Sequence, residues 1–489
     1  MPKKLILKII LIIMSIVGIA MFLPALVALI YHETWTAFSF VVCAVPLTLL
    51  GIIGIRQFSL GLHIEDNLSI AEGFLIVGLT WLLMSLFGAL PFVISGDIPF
   101  FIDAFFETAS GFTTTGASIL TDVEALTQGA LFWRSFTHWI GGMGILVLTT
   151  ALLTKLGIGG QRLVNAESTG PIKDKSAATY KKSAALLYRI YLVITIAEIV
   201  ILCLLGMNLF DSCIHSFGSV GTGGFSNYAK SVGAFNSLPI EIVIGIFTLM
   251  CGVNFGIYAL IVQGDIKKAL SNTELKVYLA IVAFSVIFIG FQVHSFRDSF
   301  FTVSSIITTT GYATADYDLW PAASKYILML LMFIGGCAGS TGGGMKVIRI
   351  VMLFKFIREG MKARLHPNLM YTAKIDGRKI DQDIMMQSAG FISLYLGLTF
   401  VGALVVALSG IDFTSAFAAS LACISNIGPG FGMVGPTCNF SFLPPLIKVF
   451  LSVLMIAGRL ELYTIILMFN PDAWRARKKH MAVQPDILK

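Results

Sequence analysis

The sequence predicts an all-α membrane protein in which ten helices cross the bilayer. Three observations predict this fold class: charged residues make up only 12% of the 489 residues, hydrophobic residues make up 56%, and mean hydropathy is +0.86. A soluble globular chain is about 25% charged, so this chain lacks the charge needed to cover a water-facing surface. The composition excludes a soluble enzyme, a disordered scaffold and a nucleic-acid-binding protein.

Ten apolar runs are long enough to cross a membrane, since a hydrocarbon core of about 30 Å needs about 20 residues of helix. They lie at 5–30, 37–55, 70–95, 130–154, 186–208, 238–262, 275–293, 325–356, 386–409 and 444–469. The first run begins with Met-Pro-Lys-Lys, as a secretory leader does, but its apolar stretch is far longer than the roughly 7–15 residues of a leader. We therefore expect it to be retained as a helix.

Basic residues separate the two sides of the membrane, because cytoplasmic loops carry an excess of Lys and Arg. The loops on one side, together with both chain ends, hold most of them, in particular at 3–8, 155–182, 355–379 and 475–479. The other side holds only Arg134, Lys230, Arg297, Lys325 and Lys448. This asymmetry predicts that both termini face the cytoplasm, with the basic loops against the lipid surface.

Four connections on the outer side repeat one pattern: an acidic residue opens a short apolar half-helix, and a Gly-centred, hydroxyl-rich strip follows it. They are DAFFETASGFTTTGAS from Asp103, DSCIHSFGSVGTGGFS from Asp211, DSFFTVSSIITTTGYA from Asp298 and DFTSAFAASLACISNIGPGFG from Asp412. The intervals from Asp to the central Gly are 13, 12, 13 and 16 residues when those glycines are taken as Gly116, Gly223, Gly311 and Gly428. Internal repetition at this scale indicates a repeated architecture.

The repeats divide the chain into a two-helix extension, four pore repeats of span, half-helix, strip and span, and a tail. The predicted boundaries are 1–60 for the extension, 61–160, 161–264, 265–360 and 361–470 for the repeats, and 471–489 for the cytoplasmic tail.

The half-helices are about 9–12 residues, too short to cross, and re-entrant backbone is tolerated only inside protein or beside a water-filled cavity. Each Asp is predicted to cap its helix N-terminus, which leaves the negative dipole end pointing inward and favours a cation there. The strips carry hydroxyls and carbonyls without formal charge, which suits a monovalent ion, whereas divalent ions prefer carboxylates. A polar turn joining two helices would explain one strip, but four matched strips favour an ion filter.

At these strips the chain resembles the Trk/Ktr/HKT superfamily of potassium transporters, and its two extra N-terminal helices are most similar to the Trk type, the TrkH/TrkG-like uptake subunits. The resemblance implies a K⁺ selectivity filter formed by Thr114, Thr115, Gly116, Gly221, Thr222, Gly223, Thr309, Thr310, Gly311, Asn426, Ile427 and Gly428. In the superfamily Ser at the first filter glycine accompanies Na⁺ preference, so Gly116 favours K⁺. Gly221, Asn426 and Ile427 depart from Thr-Thr-Thr-Gly, so the ring is not fourfold in its side chains.

Arg459 lies midway along the tenth run. A charged residue at that depth must face the bundle interior or water. We expect it to place a positive charge below the filter as a barrier to a passing cation, as an arginine does in the superfamily. The alternative is a structural ion pair with Glu461 or Glu198, although the two-residue spacing places Arg459 and Glu461 on different helix faces.

The eighth run contains IGGCAGSTGGGMKVIRI, whose glycines should unwind the helix because each costs about 1 kcal/mol relative to Ala. The gating candidates in it are Gly335, Gly336, Gly339, Gly342, Gly343, Gly344 and Lys346. It lacks the Gly-Lys-Ser/Thr ending of a phosphate-binding loop, and close packing of helices is the other explanation for its small residues. In the superfamily this stretch is a movable intramembrane loop, so residues 335–346 are expected to block the pore until a partner binds.

The resemblance further implies a cell inner membrane location, a homodimer and a cytosolic nucleotide-binding regulatory ring of the TrkA type. K⁺ is then the transported ion, and no organic cofactor, nucleic acid partner or enzymatic activity is expected. The alternative is an ion-coupled secondary active transporter, which would show inverted repeats and charged residues at the midplane. Here the copies run parallel and the strips are uncharged.

Overall fold

The computed structural model describes residues 2–59, 70–144, 177–365, 374–380 and 382–462. Within them the chain is almost entirely helical. The helices are α1 Pro2–Ala20, α2 Phe22–Ile30, α3 Thr34–Ser59, α4 Ile70–Ser95, α5 Phe101–Phe112, α6 Gln128–Trp139, α7 Ala177–Leu204, α8 Leu209–Gly221, α9 Leu238–Cys251, α10 Phe255–Val262, α11 Ile266–Ser271, α12 Thr273–Val293, α13 Phe296–Ile307, α14 Ala322–Ile334, α15 Val347–Leu365, α16 Gln382–Ala407, α17 Phe413–Ser425 and α18 Pro445–Arg459.

Short elements complete the described chain. A π-helical turn, Ile140–Gly144, continues α6, and 3₁₀ turns lie at Ser231–Phe235, Tyr317–Leu319 and Gly432–Val434. A two-stranded antiparallel hairpin pairs β1 Lys374–Ile375 with β2 Arg378–Lys379. Residues 145–176 and 463–489 lie outside the described residues, and with them most of the predicted loop 155–182, the ends of the fourth and tenth apolar runs, and the predicted tail 471–489.

Six described helical segments are long and apolar enough to cross a membrane: Ile6–Ile30, Thr34–Gly54, Leu75–Ser95, Ala184–Leu204, Thr273–Val293 and Ile384–Ala407. A seventh candidate is the pair formed by α9 and α10, which bends by 90° at its break. The fourth, eighth and tenth predicted spans appear as shorter helices, α6, α14 and α18, of 12, 13 and 15 residues. The described part of the fourth span continues from α6 into the π-helical turn, and the described part of the tenth leaves the helix after Arg459. The eighth span is interrupted, which confirms the break predicted at Gly335, since residues 335–346 are not helical.

The four half-helices are α5, α8, α13 and α17, each of 12 or 13 residues. The prediction that an Asp caps each of them is wrong for three. Asp103, Asp211 and Asp298 each lie at the third helical position, and only Asp412 is an N-cap. Asn208 and Ser295 take the capping role before α8 and α13, since their side chains accept the amide hydrogen bonds of Asp211 and Asp298.

The half-helices close a ring of repeats. Each packs between the two helices that flank it in its own repeat, and each also contacts the second helix of the preceding repeat. These cross-repeat contacts are α8 on α6, α13 on α9, α17 on α14 and α5 on α18. Because the last of them joins the fourth repeat back to the first, the four half-helices surround a single axis.

Candidate functional site

The four strips share one backbone geometry. Within two residues of its last helical residue, each half-helix is followed by a residue in the left-handed region, with φ of 54°, 56°, 59° and 56° at Thr114, Thr222, Thr309 and Asn426. The amide of the next residue bonds back into the helix, as from Thr115 to the Ser110 carbonyl at 2.8 Å and from Ile427 to the Ala422 carbonyl at 3.0 Å. A left-handed closing residue satisfies the free carbonyls of a helix end. Such a conformation is uncommon for residues other than Gly, so its fourfold recurrence defines a common turn.

The second strip shifts by one residue relative to the sequence prediction. Two residues after each left-handed residue comes a glycine with positive φ, and these four ring glycines are Gly116, Gly224, Gly311 and Gly428, with φ of 79°, 78°, 83° and 93°. The residue equivalent to Gly116 is therefore Gly224, and Gly223 corresponds to Thr115. The predicted interval of 12 residues from Asp211 becomes 13, equal to the intervals in the first and third repeats. The sequence does not show which of the adjacent Gly223 and Gly224 is the ring glycine, so the register could not be assigned from it.

The ring glycines interlock around the axis. A Cβ added at Gly116 would lie within 3.0 Å of the Gly223 carbonyl oxygen. One added at Gly224 would meet the Thr310 carbonyl in the same way, one at Gly311 the Ile427 carbonyl, and one at Gly428 the Thr115 carbonyl. Each ring glycine thus faces the carbonyl that precedes the ring glycine of the following strip: one faces two, two faces three, three faces four, and four faces one. The absence of a side chain at the ring glycines is what allows this approach.

Behind the ring the side chains differ. The Oγ1 atoms of Thr113 and Thr115 are 2.7 Å apart, and those of Thr308 and Thr310 are 2.8 Å apart, so hydroxyl pairs brace the first and third strips. In the fourth strip Asn426 Nδ2 donates to Thr115 Oγ1 at 3.0 Å and to the Met455 carbonyl at 2.9 Å. The Asn426 and Ile427 departures therefore alter the bracing and leave the backbone ring in place.

A buried ion pair supports the outer ends of the first two strips. Arg134 Nε lies 2.6 Å from Glu107 Oε1, and both side chains are almost fully buried. Glu107 accepts from Ser118 Oγ at 2.9 Å, while Arg134 donates to the Ser226 carbonyl at 3.0 Å and stacks on Phe225. In the sequence, Arg134 stands out only as an exception to the basic-loop asymmetry. The sequence feature that could have indicated this ion pair is an acidic residue in the half-helix followed by a basic residue in the next helix.

The outer mouth of the second strip is held by Asp211. Its carboxylate accepts from Asn227 Nδ2 at 2.7 Å and from the Tyr228 hydroxyl at 2.9 Å. Burial, followed by the neighbouring Asp211 carboxylate, raises the pKa of Tyr228 to about 12. The Tyr228 hydroxyl therefore stays a neutral hydrogen-bond donor at physiological pH.

The segment 335–346, called the intramembrane loop below, lies directly against the inner ends of the strips. The Gly343 amide donates to Thr309 Oγ1 at 2.6 Å, and the Gly344 amide donates to the Ser425 carbonyl at 3.0 Å. Cys337 N donates to the Gly252 carbonyl at 2.8 Å, at the bend between α9 and α10. The loop therefore connects the break in the second repeat to strips of the third and fourth.

Arg459 is the last residue of α18 rather than the middle of a continuous helix, because the chain turns left-handed at Glu461 and Leu462, with φ of 58° and 52°. Its guanidinium donates to the Thr341 carbonyl at 2.7 Å, and to the Gly141 and Gly142 carbonyls at 2.8 and 2.9 Å. Arg459 thus joins the intramembrane loop to the π-helical turn after α6.

The acidic partners considered for Arg459 have different placements. Glu461 Oε2 forms an ion pair with Arg349 at 2.6 Å, so Glu461 pairs with Arg349 rather than with Arg459. Glu198 is fully buried in α7, and neither of its carboxylate oxygens has a hydrogen-bond partner among the described residues, so the pairing considered with Arg459 is wrong.

Glu274, in the first turn of α12, holds both ends of the intramembrane loop. Its Oε1 accepts from the Ala338 amide at 2.7 Å and from the Ile348 amide at 3.1 Å, which also satisfies a free donor at the start of α15. Lys346 has φ of 76° and its Nζ donates to the Gly342 carbonyl, closing the loop on itself. Glu274 is not recognisable from the sequence as a loop contact, since an acid in the first turn of a helix ordinarily only complements the helix dipole.

The chain matches known proteins over nearly its full length. The family model described as the TrkH cation transport protein matches residues 53–289 and 285–475. The Trk system potassium uptake protein TrkH of Escherichia coli K12 is 38% identical over 473 residues, covering 93% of this chain and 96% of that protein. TrkG of the same strain is 36% identical, covering 94% and 96%. The crystal structure of the potassium transporter TrkH from Vibrio parahaemolyticus superposes with a TM-score of 0.84 at 34% identity, covering 97% of this chain and 100% of that one. The chain belongs to the TrkH family of cation transport proteins.

Proposed function

We propose that this chain is the membrane subunit of a Trk-type potassium uptake system and that K⁺ passes through the ring formed by the four strips. Its relatives are named as potassium uptake proteins of the Trk system. The observation that carries the proposal is the closed order of contacts between each ring glycine and the carbonyl of the neighbouring strip.

The ring offers chemistry that suits K⁺. The carbonyls of Thr115, Gly223, Thr310 and Ile427 lie around one axis, and oxygen rings of this kind replace the hydration shell of a monovalent cation. The C-terminal ends of four half-helices converge on the same axis and contribute partial negative charge. The strips themselves contain no carboxylate.

Ten spans with both termini in the cytoplasm agree with the breaks in the described chain. The fourth, sixth, eighth and tenth spans would each cross as two parts joined below the ring. Three of the five basic residues on the predicted outer side form ion pairs: Arg134 with Glu107, Arg297 with Glu241 and Lys448 with Asp103. Because an ion pair neutralises the charge of the basic residue, these three residues argue only weakly against an outer location. The charge asymmetry between the two sides therefore supports this orientation.

We assign the gate to the intramembrane loop and Arg459. The loop amides already bond Thr309 and Ser425, so the loop occupies the space immediately inside the ring. Arg459 places a positive charge at the same depth and holds Thr341, which raises the barrier to a cation. Opening then requires the loop to leave its bonds to the strips, to Gly252 and to Arg459.

The assembly is proposed from the family. A homodimer in the cell inner membrane and a cytosolic nucleotide-binding ring of the TrkA type would complete the uptake system, and the ring would move the loop. A secondary active transporter is not favoured, because the repeats run parallel and the strips lack charged midplane residues. The relatives are named as transport proteins rather than enzymes.

The proposal is tested with purified protein in liposomes, comparing uptake of rubidium and sodium. The wild type should take up rubidium in preference to sodium. Gly116→Ser should strongly reduce rubidium uptake and weaken the preference in what remains, because its hydroxymethyl group meets the Gly223 carbonyl. Gly206→Ser is the matched control, since Gly206 also has positive φ, at 94°, but nothing within 4 Å of its added Cβ. Equal uptake of both ions by the wild type would overturn the proposed selectivity.

A further inference from the structure

The second strip lacks the side chains that brace its neighbours. Where the first and third strips place the hydroxyl pairs Thr113–Thr115 and Thr308–Thr310, the second has Gly221 and Gly223. A glycine-rich strip is more mobile than a threonine-braced one unless something else packs against it. Yet the Gly223 carbonyl occupies the same place in the ring as those of Thr115 and Thr310.

His138, from the end of α6, fills the missing volume. A Cβ added at Gly223 would lie within 3.0 Å of Cγ, Nδ1 and Cδ2 of the His138 ring, and one added at Gly221 would lie within 3.0 Å of the His138 carbonyl. The His138 side chain is fully buried. Gly221 and Gly223 therefore leave free the space that His138, from the first repeat, occupies.

The His138 ring is held on two sides. Its Nδ1 lies 2.8 Å from the Gly111 carbonyl oxygen, and since a carbonyl only accepts, Nδ1 carries the proton. Its centroid is 4.2 Å from that of Phe225, the residue after Gly224. Among the described residues Nε2 has no hydrogen-bond partner. A side chain locked in this way is a rigid wall rather than a mobile filler.

We propose that His138 is a positioning residue for the Gly223 carbonyl and thereby sets the discrimination between K⁺ and Na⁺. It does for the second strip what the threonine pairs do for the first and third. The inference rests on the proposed function, because it takes the ring as the ion path. Removing the imidazole leaves a cavity behind Gly223, so the carbonyl gains freedom to approach a smaller ion while the path stays open.

The test measures rubidium and sodium uptake in liposomes for His138→Ala, His138→Asn and the wild type. The ratio of rubidium to sodium uptake should fall several-fold in His138→Ala, with rubidium uptake retained. His138→Asn keeps an amide donor near the position of Nδ1 and should give an intermediate ratio. Ser135→Ala, a buried change one turn earlier on α6, should leave the ratio unchanged.

A reciprocal pair of variants probes the same contact from the other side. Gly223→Ala should lose most rubidium uptake, because its methyl group meets the imidazole. The double variant Gly223→Ala with His138→Ala should recover uptake, since the methyl then enters the vacated space. If His138→Ala alone folds poorly, the recovery of uptake in the double variant still tests the contact between Gly223 and His138.

The outcomes separate the two proposals. A wild type that does not prefer rubidium contradicts the proposed function itself. A selective wild type whose ratio is unchanged in His138→Ala, or a double variant no better than Gly223→Ala, overturns the role of His138 and leaves the ring intact as a proposal.

Discussion

The half of the four repeats that is proposed to face outward and the half proposed to face the cytoplasm are organised in opposite ways. On the outer side all four half-helices end in the same left-handed turn and ring glycine, whatever their side chains. On the inner side each second span departs from the α-helix differently. There is a π-helical turn at Ile140–Gly144, a 90° bend after Cys251, a non-helical loop at 335–346 and a helix end at Arg459.

The difference teaches which part of the site needs repetition. A ring that replaces a hydration shell needs equivalent oxygens from every repeat, and backbone carbonyls supply them even where side chains differ. The proposed gate needs only one blocking element, and a single long loop from the third repeat lies against the inner ends of the strips. The other breaks serve it: Gly252 and Gly141 lie beside the loop or beside the Arg459 that holds it.

The largest expected effect comes from filling the ring. Gly224→Ala should abolish rubidium uptake, because its methyl group overlaps the Thr310 carbonyl and its positive φ disfavours any side chain. Gly206→Ala has the same backbone strain without the overlap and should retain uptake. Retained uptake by Gly224→Ala would place the ring elsewhere and break the fourfold comparison.

The next largest effect concerns the outer support. Glu107→Gln leaves Arg134 buried without a counter-charge, and breaking a buried pair from one side costs about 3–5 kcal/mol. Thermal unfolding of the purified protein in detergent should therefore begin at clearly lower temperature. Asp265→Asn breaks the exposed pair with Lys268 and should change stability by about 0–1 kcal/mol. Similar shifts in the two variants would show that the outer half does not depend on this pair.

On the inner side Arg459→Ala should raise rubidium flux several-fold. It removes a positive charge below the ring and frees Thr341 and the π-helical turn from each other. Arg349→Gln removes a nearby positive charge that pairs with Glu461 and donates to the loop at the Met345 carbonyl rather than at Thr341. Because it does not join the loop to the π-helical turn, it should affect flux less. Slower flux in Arg459→Ala would contradict the barrier.

The smallest effect is expected for Glu274→Gln, which keeps one acceptor for Ala338 and Ile348 but loses the carboxylate charge. The loop should open more often, and the reporter is Cys337, a free thiol fully buried in the loop. In a background with the other six cysteines replaced, Cys337 should react faster with a thiol reagent in the variant. An unchanged rate would mean that Glu274 does not hold the loop.

Features that repeat or are encoded locally could be predicted from the sequence. The half-helices, the strips and the unwinding at Gly335 follow from apolar length, hydroxyl content and glycine density. Features that depend on neighbours across the fold could not be predicted. The register at Gly224 is visible only from backbone angles, and the roles of Glu274 and His138 come from residues distant in the chain. The bend after Cys251 was missed because Gly-Val-Asn carries too weak a breaking signal within an apolar run.

The central claim is that four repeats donate carbonyls to one ion site, and locating a heavy alkali ion tests it most directly. Crystals of the protein grown or soaked with rubidium, measured at the rubidium absorption edge, should show anomalous density on the axis between the carbonyls of Thr115, Gly223, Thr310 and Ile427. Density confined to another part of the molecule, or none between these four carbonyls at saturating rubidium, would contradict the account.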